Sequence, residues 1–229
     1  MFAKASRTIR EAIYGLNGLS QINPQQVNAT NATGFAIAPG VLATAAHFCH
    51  QQNDPSKPVH QRFEAIRSPD VGQAMESAVL VAEDVARDLA ILRLEKPRSR
   101  STVKLERAVV PTGTACGSLG FPLATIVFSQ AGRMFNLFER FQSGSISRLG
   151  KDQHPSGRSL EYYETDFLMY PGSSGCPGFL ANARVFGMHT ASVMERAQSS
   201  GTSAARTSIS IWVPASDIIV FANTNGVKI

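Results

Sequence analysis

Short apolar segments separated by turn residues constrain the fold of this chain more than any other feature. From residue 34 onward these segments run for about five or six residues and are bounded by Gly, Pro, Asn, Asp or Ser, which is typical of β-strands. We predict eight of them, at residues 34–38, 41–45, 77–81, 89–94, 115–119, 144–149, 185–190 and 209–213. Many short strands with few helices predict an all-β sandwich or barrel rather than an α/β sheet.

Helical patterns occur only at the two ends of the chain. The basic N-terminus is compatible with an organelle transit segment, but its amphipathic pattern favours a short capping helix. Residues 214–222 open with Pro214 and become apolar, which predicts a closing helix. A charged stretch at 96–102 without apolar periodicity divides the strands. We therefore predict an N-terminal helical segment at 1–20, a first β-barrel domain at 21–100 and a second at 101–229.

Composition limits the classes of partner. Hydrophobic residues make up 43% of the 229 residues, enough for a sizeable core, and no run of eighteen apolar residues predicts a membrane span. The formal net charge is +5. Basic residues cluster between 96 and 107, which indicates either a nucleic-acid patch or a solvated linker. We favour the linker, and expect neither nucleic acid nor a membrane as a partner.

The three cysteines bear on compartment and on metal binding. Cys49, Cys116 and Cys176 cannot all pair within one chain, which favours a reducing compartment, such as the cytoplasm or an organelle interior, or a lightly cross-linked bacterial protein. The adjacent Cys49 and His50 suggest a metal site, but tetrahedral zinc needs three or four ligands and no second pair follows at usable spacing. We expect no metal and no cofactor. His60 and His154 are predicted to lie in surface loops.

Three segments carry residues suited to acyl transfer. His47 ends a strand of small and apolar residues, Asp88 directly precedes an apolar strand, and Ser174 lies in a Gly- and Pro-containing loop. A serine hydroxyl needs an adjacent base to become nucleophilic, histidine has a suitable pKa, and an aspartate can orient the imidazole. Asp84 and Asp70 are also in range, but only Asp88 abuts an apolar strand. We predict His47, Asp88 and Ser174 as a catalytic triad.

The order and spacing of these residues place the site between the two domains. Histidine, then aspartate, then serine is the order of chymotrypsin-like triads, whereas subtilisins and α/β-hydrolases use other orders. His47 and Asp88 fall in the first domain and Ser174 in the second. The backbone N–H groups of Gly172 and Ser174 have the right offsets to hold an oxyanion, and Gly175 permits a close turn behind the nucleophile.

Four stretches resemble the chymotrypsin-like superfamily and, more narrowly, the protease domain of the HtrA (Deg) family. TDFLMYPGSSGCP at 165–177 is similar to T-D-x-x-x-N-P-G-N-S-G-G-P, and GTACGSLGFP at 113–122 to G-x-x-V-x-x-I-G-x-P. SGSISRLG at 143–150 is similar to S-G-I-V-S-x-L-G, and VFGMHTA at 185–191 to V-I-G-I-N-T-A. The resemblance implies two six-stranded antiparallel β-barrels with short terminal helices. It also implies a serine endopeptidase that hydrolyses polypeptides through an acyl-enzyme.

The same resemblance assigns substrate-binding residues. Leu168, six residues before the nucleophile, and the adjacent Met169 would line the pocket for P1, the side chain that precedes the cleaved bond. His189, Thr190 and Ala191 would form the edge strand along which the substrate backbone pairs. Because residue 168 carries no carboxylate, Arg or Lys at P1 would be buried unpaired, so we predict small or medium apolar P1 side chains.

Three departures from the family pattern are informative. Cys176 replaces the usual second glycine, which matters if that position needs positive φ. Ser173 stands where trypsin-like zymogens have the aspartate that pairs with a new N-terminus, so that activation route is not expected. The sequence ends after the closing helix, so no PDZ module is expected. A homo-oligomer, by analogy a trimer through residues 1–20, is expected; the alternative function is a catalytically inactive binding or scaffolding module.

Overall fold

Two sets of antiparallel strands, with one helix at each end of the chain, make up the fold. The computed structural model describes residues 1–23, 26–72, 74–122, 124–129, 132–195 and 205–229. The helices are α1 (Ala3–Arg10) and α2 (Ala215–Thr224). The strands are β1 (Ile13–Asn23), β2 (Gln26–Ala38), β3 (Val41–Thr44), β4 (Arg62–Arg67), β5 (Met75–Asp84), β6 (Leu89–Leu94), β7 (Lys104–Leu105), β8 (Ala115–Gly120), β9 (Thr125–Ser129), β10 (Gly132–Asn136), β11 (Arg140–Gln153), β12 (Ser159–Thr165), β13 (Pro177–Leu180), β14 (Arg184–Glu195) and β15 (Ala205–Pro214).

The first six strands close into a barrel in the order β1-β2-β3-β6-β5-β4. Closure leaves no unpaired sheet edge, and the buried β3 and β6 lie side by side with Thr44 opposite Ala90. The loops after β3 and before β6 therefore emerge at the same end of the barrel. Those two loops carry His47 and Asp88.

The N-terminal helical segment predicted at 1–20 is shorter than expected. Helix α1 ends at Arg10 and β1 begins at Ile13. The eight residues from 13 to 20 are all buried, so the alternation of apolar and polar residues that would have indicated a strand is missing. Pairing with β2 on one side and β4 on the other keeps this segment extended. It belongs to the first barrel rather than to a separate unit.

The second set of strands has the order β13-β8-β11-β12-β15-β14-β7. Because β13 also pairs with β14, six of these strands form a closed ring, and the two-residue β7 adds to β14 in parallel. The hairpin β9–β10 forms a separate two-stranded sheet. The fold class predicted from the sequence is thereby confirmed. Trp212, Phe186 and Phe167 form the aromatic centre of the second core, with rings 5.6–5.7 Å apart.

Both terminal helices pack against the barrels. Ala5 and Ile9 of α1 are buried, and Arg10 makes a bidentate ion pair with Glu139, with an Nη2–Oε1 distance of 2.6 Å. The closing helix predicted at 214–222 is confirmed as α2, which buries Ile218 and Ala222. In the part of the chain that the structure describes, neither helix has the length and apolarity needed to cross a membrane.

Candidate active site

His47 and Asp88 meet at the end of the first barrel. Nδ1 of His47 lies 2.7 Å from Asp88 Oδ2, and the backbone N–H of His47 donates to Asp88 Oδ1 at 2.8 Å. Both side chains are about one-fifth exposed, at 23% and 22%. Because an ionised carboxylate only accepts hydrogen bonds, Nδ1 carries the proton in this contact and Nε2 is left as the acceptor. That is the tautomer a general base needs.

A tight turn presents Asp88 to the histidine. The N–H of Asp88 donates to the carbonyl of Val85 at 3.2 Å, and Asp88 has a φ of +53°. Asp and Asn adopt this left-handed conformation more readily than other residues with a Cβ atom. The competing Asp84 forms ion pairs with Arg87 and Arg158 instead, at 2.9 and 2.7 Å. The side chain of Asp70 lies outside the described residues.

Thr190 completes the environment of Asp88. Its hydroxyl donates to Asp88 Oδ2, so the carboxylate accepts three hydrogen bonds in all. The sequence placed Thr190 on the substrate-binding edge strand. In the structure, its side chain extends from β14 of the second barrel and contacts the Asp88 carboxylate of the first.

The loop that carries Ser174 is held from both sides. The carbonyl of Ser174 accepts from Thr33 N–H at 2.9 Å in the first barrel, and Gly175 N–H donates to the His189 carbonyl at 2.7 Å in the second. Within the loop, Cys176 N–H donates to the Ser173 carbonyl at 3.0 Å. The loop therefore spans the junction between the barrels.

Gly175 allows this loop to approach the first barrel. Its φ is +81°, and a Cβ atom there would lie 2.2 Å from the Thr33 carbonyl oxygen, 2.4 Å from Thr44 Oγ1 and 3.0 Å from Ala45 N. Ala45 precedes His47 by two residues. The backbone beside the nucleophile thus touches the strand that delivers the histidine, which no residue with a side chain permits.

We expect Gly175→Ala to destabilise the fold by roughly 3 kcal/mol, because left-handed strain adds to a clash with backbone. For a chain of this length that corresponds to a fall in Tm of roughly 6–12 °C. Gly113→Ala is the matched control, since φ there is +85° and nothing lies within 4 Å. It should cost about 1 kcal/mol. If the two variants had the same Tm, the close approach at Gly175 would be contradicted.

The N–H groups of Gly172 and Ser174 point to no acceptor among the residues that the structure describes. Thr33 holds this part of the loop, because its hydroxyl donates to the Gly172 carbonyl at 3.0 Å and accepts from Phe121 N–H at 3.0 Å. Gly172 has a φ of +88°, which its lack of a Cβ permits. Sequence analysis missed Thr33, since a threonine 139 residues from its partner carries no local pattern.

The structure does not join the nucleophile to the base by a hydrogen bond. Within the described ranges, Ser174 Oγ and His47 make no hydrogen bond with each other. The contacts of Thr33 and Gly175 nevertheless hold the loop of the half-buried Ser174 against the chain segment that leads to His47. Catalytic hydrogen bonds of this kind are often long or poorly aligned before substrate binds.

Cys176 does not disturb the loop. It is absent from the described residues with positive φ, so the position does not require glycine. Its buried thiol lies 3.1 Å from Ser118 Oγ. Burial raises the pKa of Cys176 to about 12, which leaves it protonated and unreactive at neutral pH. Cys49 and Cys116 are likewise free and buried.

The predicted substrate-binding residues differ in their exposure to solvent. Leu168 is half-buried, Met169 and His189 are buried, and Ala191 is exposed. Beyond Met188, β14 pairs only with β15 among the described strands, which leaves its other edge facing the cleft. The serine loop already bonds both backbone groups of His189, so the groups available to an added strand begin beyond that residue.

The remaining histidines have structural partners. His60, predicted to lie on the surface, is buried because its ring lies between Thr30 Oγ1 at 2.8 Å and Ser20 Oγ at 3.0 Å. His50 Nε2 pairs with Glu83 at 2.9 Å. His154 bonds the hydroxyl of Ser156 at 2.8 Å. Across the described ranges no cluster of three His, Cys, Asp or Glu residues could hold a metal ion.

Comparison with known proteins places this site in context. The family model described as "Trypsin-like peptidase domain" matches residues 32–188. "Serine protease HTRA2, mitochondrial" of Bos taurus is 27% identical over 181 residues, covering 77% of this chain and 34% of that protein, so the chain spans about a third of this relative. The crystal structure of the Rv3671c protease from M. tuberculosis, in its active form, superimposes with a TM-score of 0.70 at 16% identity, covering 98% of this chain and 85% of that one.

Proposed function

Since this chain belongs to the trypsin-like peptidase domain family, we propose that it is a serine endopeptidase that uses His47, Asp88 and Ser174. The hydrogen-bonded pair of His47 and Asp88 carries the proposal, because it sets the tautomer of the imidazole beside a serine loop with two unpaired N–H groups. Polypeptides are the substrates.

The proposed residues divide the reaction among them. Ser174 Oγ attacks the peptide carbonyl while His47 Nε2 takes its proton, and the positive imidazolium is stabilised by Asp88. The N–H groups of Gly172 and Ser174 hold the oxyanion of the tetrahedral intermediate. His47 then protonates the amine, which leaves. The acyl group stays bound to Ser174 as an ester, the acyl-enzyme. Water activated by the same histidine hydrolyses this ester.

Labelling by a fluorophosphonate probe tests the assignment. The probe reacts with a serine hydroxyl only where a base and an oxyanion site are assembled, so wild-type protein should be labelled and Ser174→Ala should not. An unlabelled wild-type protein that melts cooperatively would favour a second candidate, a binding or scaffolding module. The lack of a hydrogen bond between Ser174 and His47 favours that candidate.

We propose that the P1 pocket takes uncharged side chains, with small or medium apolar ones preferred over Arg and Lys. Leu168 offers no counter-charge, and the nearest acidic residue along the chain, Asp166, accepts a hydrogen bond from Ser145 N–H at 2.6 Å. Burying an unpaired cation is costly. In a peptide series varied only at P1, we expect Val to exceed Arg in kcat/KM by about 10-fold or more. Faster cleavage after Arg would contradict this assignment.

Two further proposals concern the setting of the protein. Three buried, unpaired cysteines support a reducing compartment. Assembly into a homo-oligomer through residues 1–20 remains a proposal by analogy; in this structure Phe2 packs edge-on against Phe179 of the same chain, with ring centroids 6.1 Å apart.

A further inference from the structure

His189 is a buried histidine whose two ring nitrogens lack a hydrogen-bond partner among the described residues. The residue is 3% exposed, and neither ring nitrogen makes a hydrogen bond within the described part of the chain. The carbonyls of Ser173 and Ala191 lie near the ring without acceptable hydrogen-bond geometry. One face of the ring is covered by Trp212, with centroids 5.2 Å apart and the planes nearly perpendicular.

The hydroxyl of Ser173 is unsatisfied in the same place. Ser173 is 1% exposed and its Oγ has no hydrogen-bond partner among the described residues. It directly precedes the nucleophile, and its backbone approaches the His189 ring. Two buried polar side chains without a hydrogen-bond partner in the described residues therefore occur at the serine loop, one in the loop and one whose ring lies near the loop backbone.

The position of His189 in the chain ties it to the P1 subsite. Its carbonyl accepts from Gly175 N–H at 2.7 Å, and the next residue, Thr190, donates to Asp88. Along β14, burial increases inward from exposed Ala191 through half-buried Thr190 to His189. A substrate side chain that binds against the buried part of this strand would therefore come close to His189.

An unpaired polar group inside a protein loses its hydrogen bonds to water without replacement. Native structures keep few such groups, and each one calls for an explanation such as a functional role or a bound water. His189 and Ser173 supply a donor and an acceptor, or two donors, next to the proposed P1 subsite, whose predicted residues Leu168 and Met169 are apolar. A primary amide presents the complementary carbonyl oxygen and NH2 group.

We propose that His189 and Ser173 bind the side-chain amide of a P1 glutamine and so make this residue the preferred one among uncharged P1 side chains. This inference rests on the proposed peptidase function. A ring N–H of His189 donates to the glutamine Oε1, and the hydroxyl of Ser173 accepts from the glutamine NH2 group. Burial lowers the pKa of His189 to about 4. A neutral ring suits a neutral amide better than a carboxylate.

Peptides that differ only at P1 test the proposal on the wild-type protein. At pH 8 we expect Gln to exceed Val in kcat/KM by about 10-fold, and Gln to exceed Glu by a similar factor, because a site built to bond a polar group discriminates against partners that leave it unpaired. A Val peptide cleaved as fast as the Gln peptide would overturn the inference. Wild-type protein that is not labelled by fluorophosphonate would instead overturn the proposed function.

Variants then identify the residue that recognises the amide. In His189→Val, the ratio of kcat/KM for the Gln peptide to that for the Val peptide should fall about 10-fold or more. Taking this ratio removes any loss of activity that is common to both peptides. Ser173→Ala should lower the same ratio by a smaller factor. His154→Val, a histidine in a hairpin loop, should leave the ratio unchanged. If His189→Val does not fold, His189→Asn replaces it and should lower the ratio too. A ratio equal to that of wild type in the folded His189 variant would overturn the proposal.

Discussion

Replacing Ser174 by alanine is expected to lower kcat/KM by roughly 10⁶-fold, about the loss seen when a serine protease loses its nucleophile. The hydroxyl is the only atom group that can form the acyl-enzyme, and water must then attack directly. The residual rate over solution comes from the N–H groups of Gly172 and Ser174, which the substitution leaves in place. Steady-state cleavage of a short peptide measures the loss.

Two further variants make this result specific. Ser147→Ala changes an exposed serine on β11 and should alter kcat/KM by less than about twofold. His47→Ala combined with Ser174→Ala should be no slower than Ser174→Ala alone, because the two residues act as one unit. Losses that multiply in the double variant would show that His47 and Ser174 work independently and would contradict the triad.

Asp88→Asn should lower kcat/KM by about 10⁴-fold with little effect on stability. The carboxylate accepts from the His47 backbone N–H, from His47 Nδ1 and from the Thr190 hydroxyl. An amide of the same size has only one acceptor oxygen, and its NH2 group facing Nδ1 would favour the tautomer with the proton on Nε2. The φ of +53° suits Asn as well as Asp, so the turn itself survives.

Asp84→Asn is the control for that variant. Asp84 lies in the same turn and pairs with Arg87 and Arg158, but no contact joins it to His47 in the described residues. We expect less than about a 10-fold change in kcat/KM, with a small loss of Tm, since each pair is partly exposed. Equal losses of activity in the Asp84 and Asp88 variants would mean that the turn as a whole, rather than the Asp88 carboxylate, supports His47.

The sequence predicted the pairing of His47 with Asp88 better than it predicted the strands. His47, Asp88 and the loop of Ser174 lie next to recognisable strands, and the register of β3 with β6 brings the first two together. By contrast, β1 was missed because all eight residues from 13 to 20 are buried, so its pattern does not alternate. A strand covered on both faces cannot be told from a buried helix by periodicity alone.

Contacts between distant segments account for the other omissions. His60 is in a polar, proline-flanked stretch typical of a surface loop, yet Thr30 and Ser20 enclose its ring. Thr190 was assigned to the substrate, and its bond to Asp88 crosses 102 residues of sequence. No window of sequence contains both members of such pairs, so the identity of a residue reveals its chemistry but not what it touches.

Thr33 of the first barrel supports the proposed oxyanion site in the second. Its hydroxyl on β2 accepts a hydrogen bond from Phe121 N–H and donates one to the Gly172 carbonyl. One side chain thus connects the first portion of the polypeptide, which forms the first barrel, to two segments of the second portion. A second half expressed by itself would keep Ser174 and Gly172 but would lose the hydroxyl that braces them. We therefore expect the proposed oxyanion site to form only after the two portions have docked, so that turnover depends on correct docking.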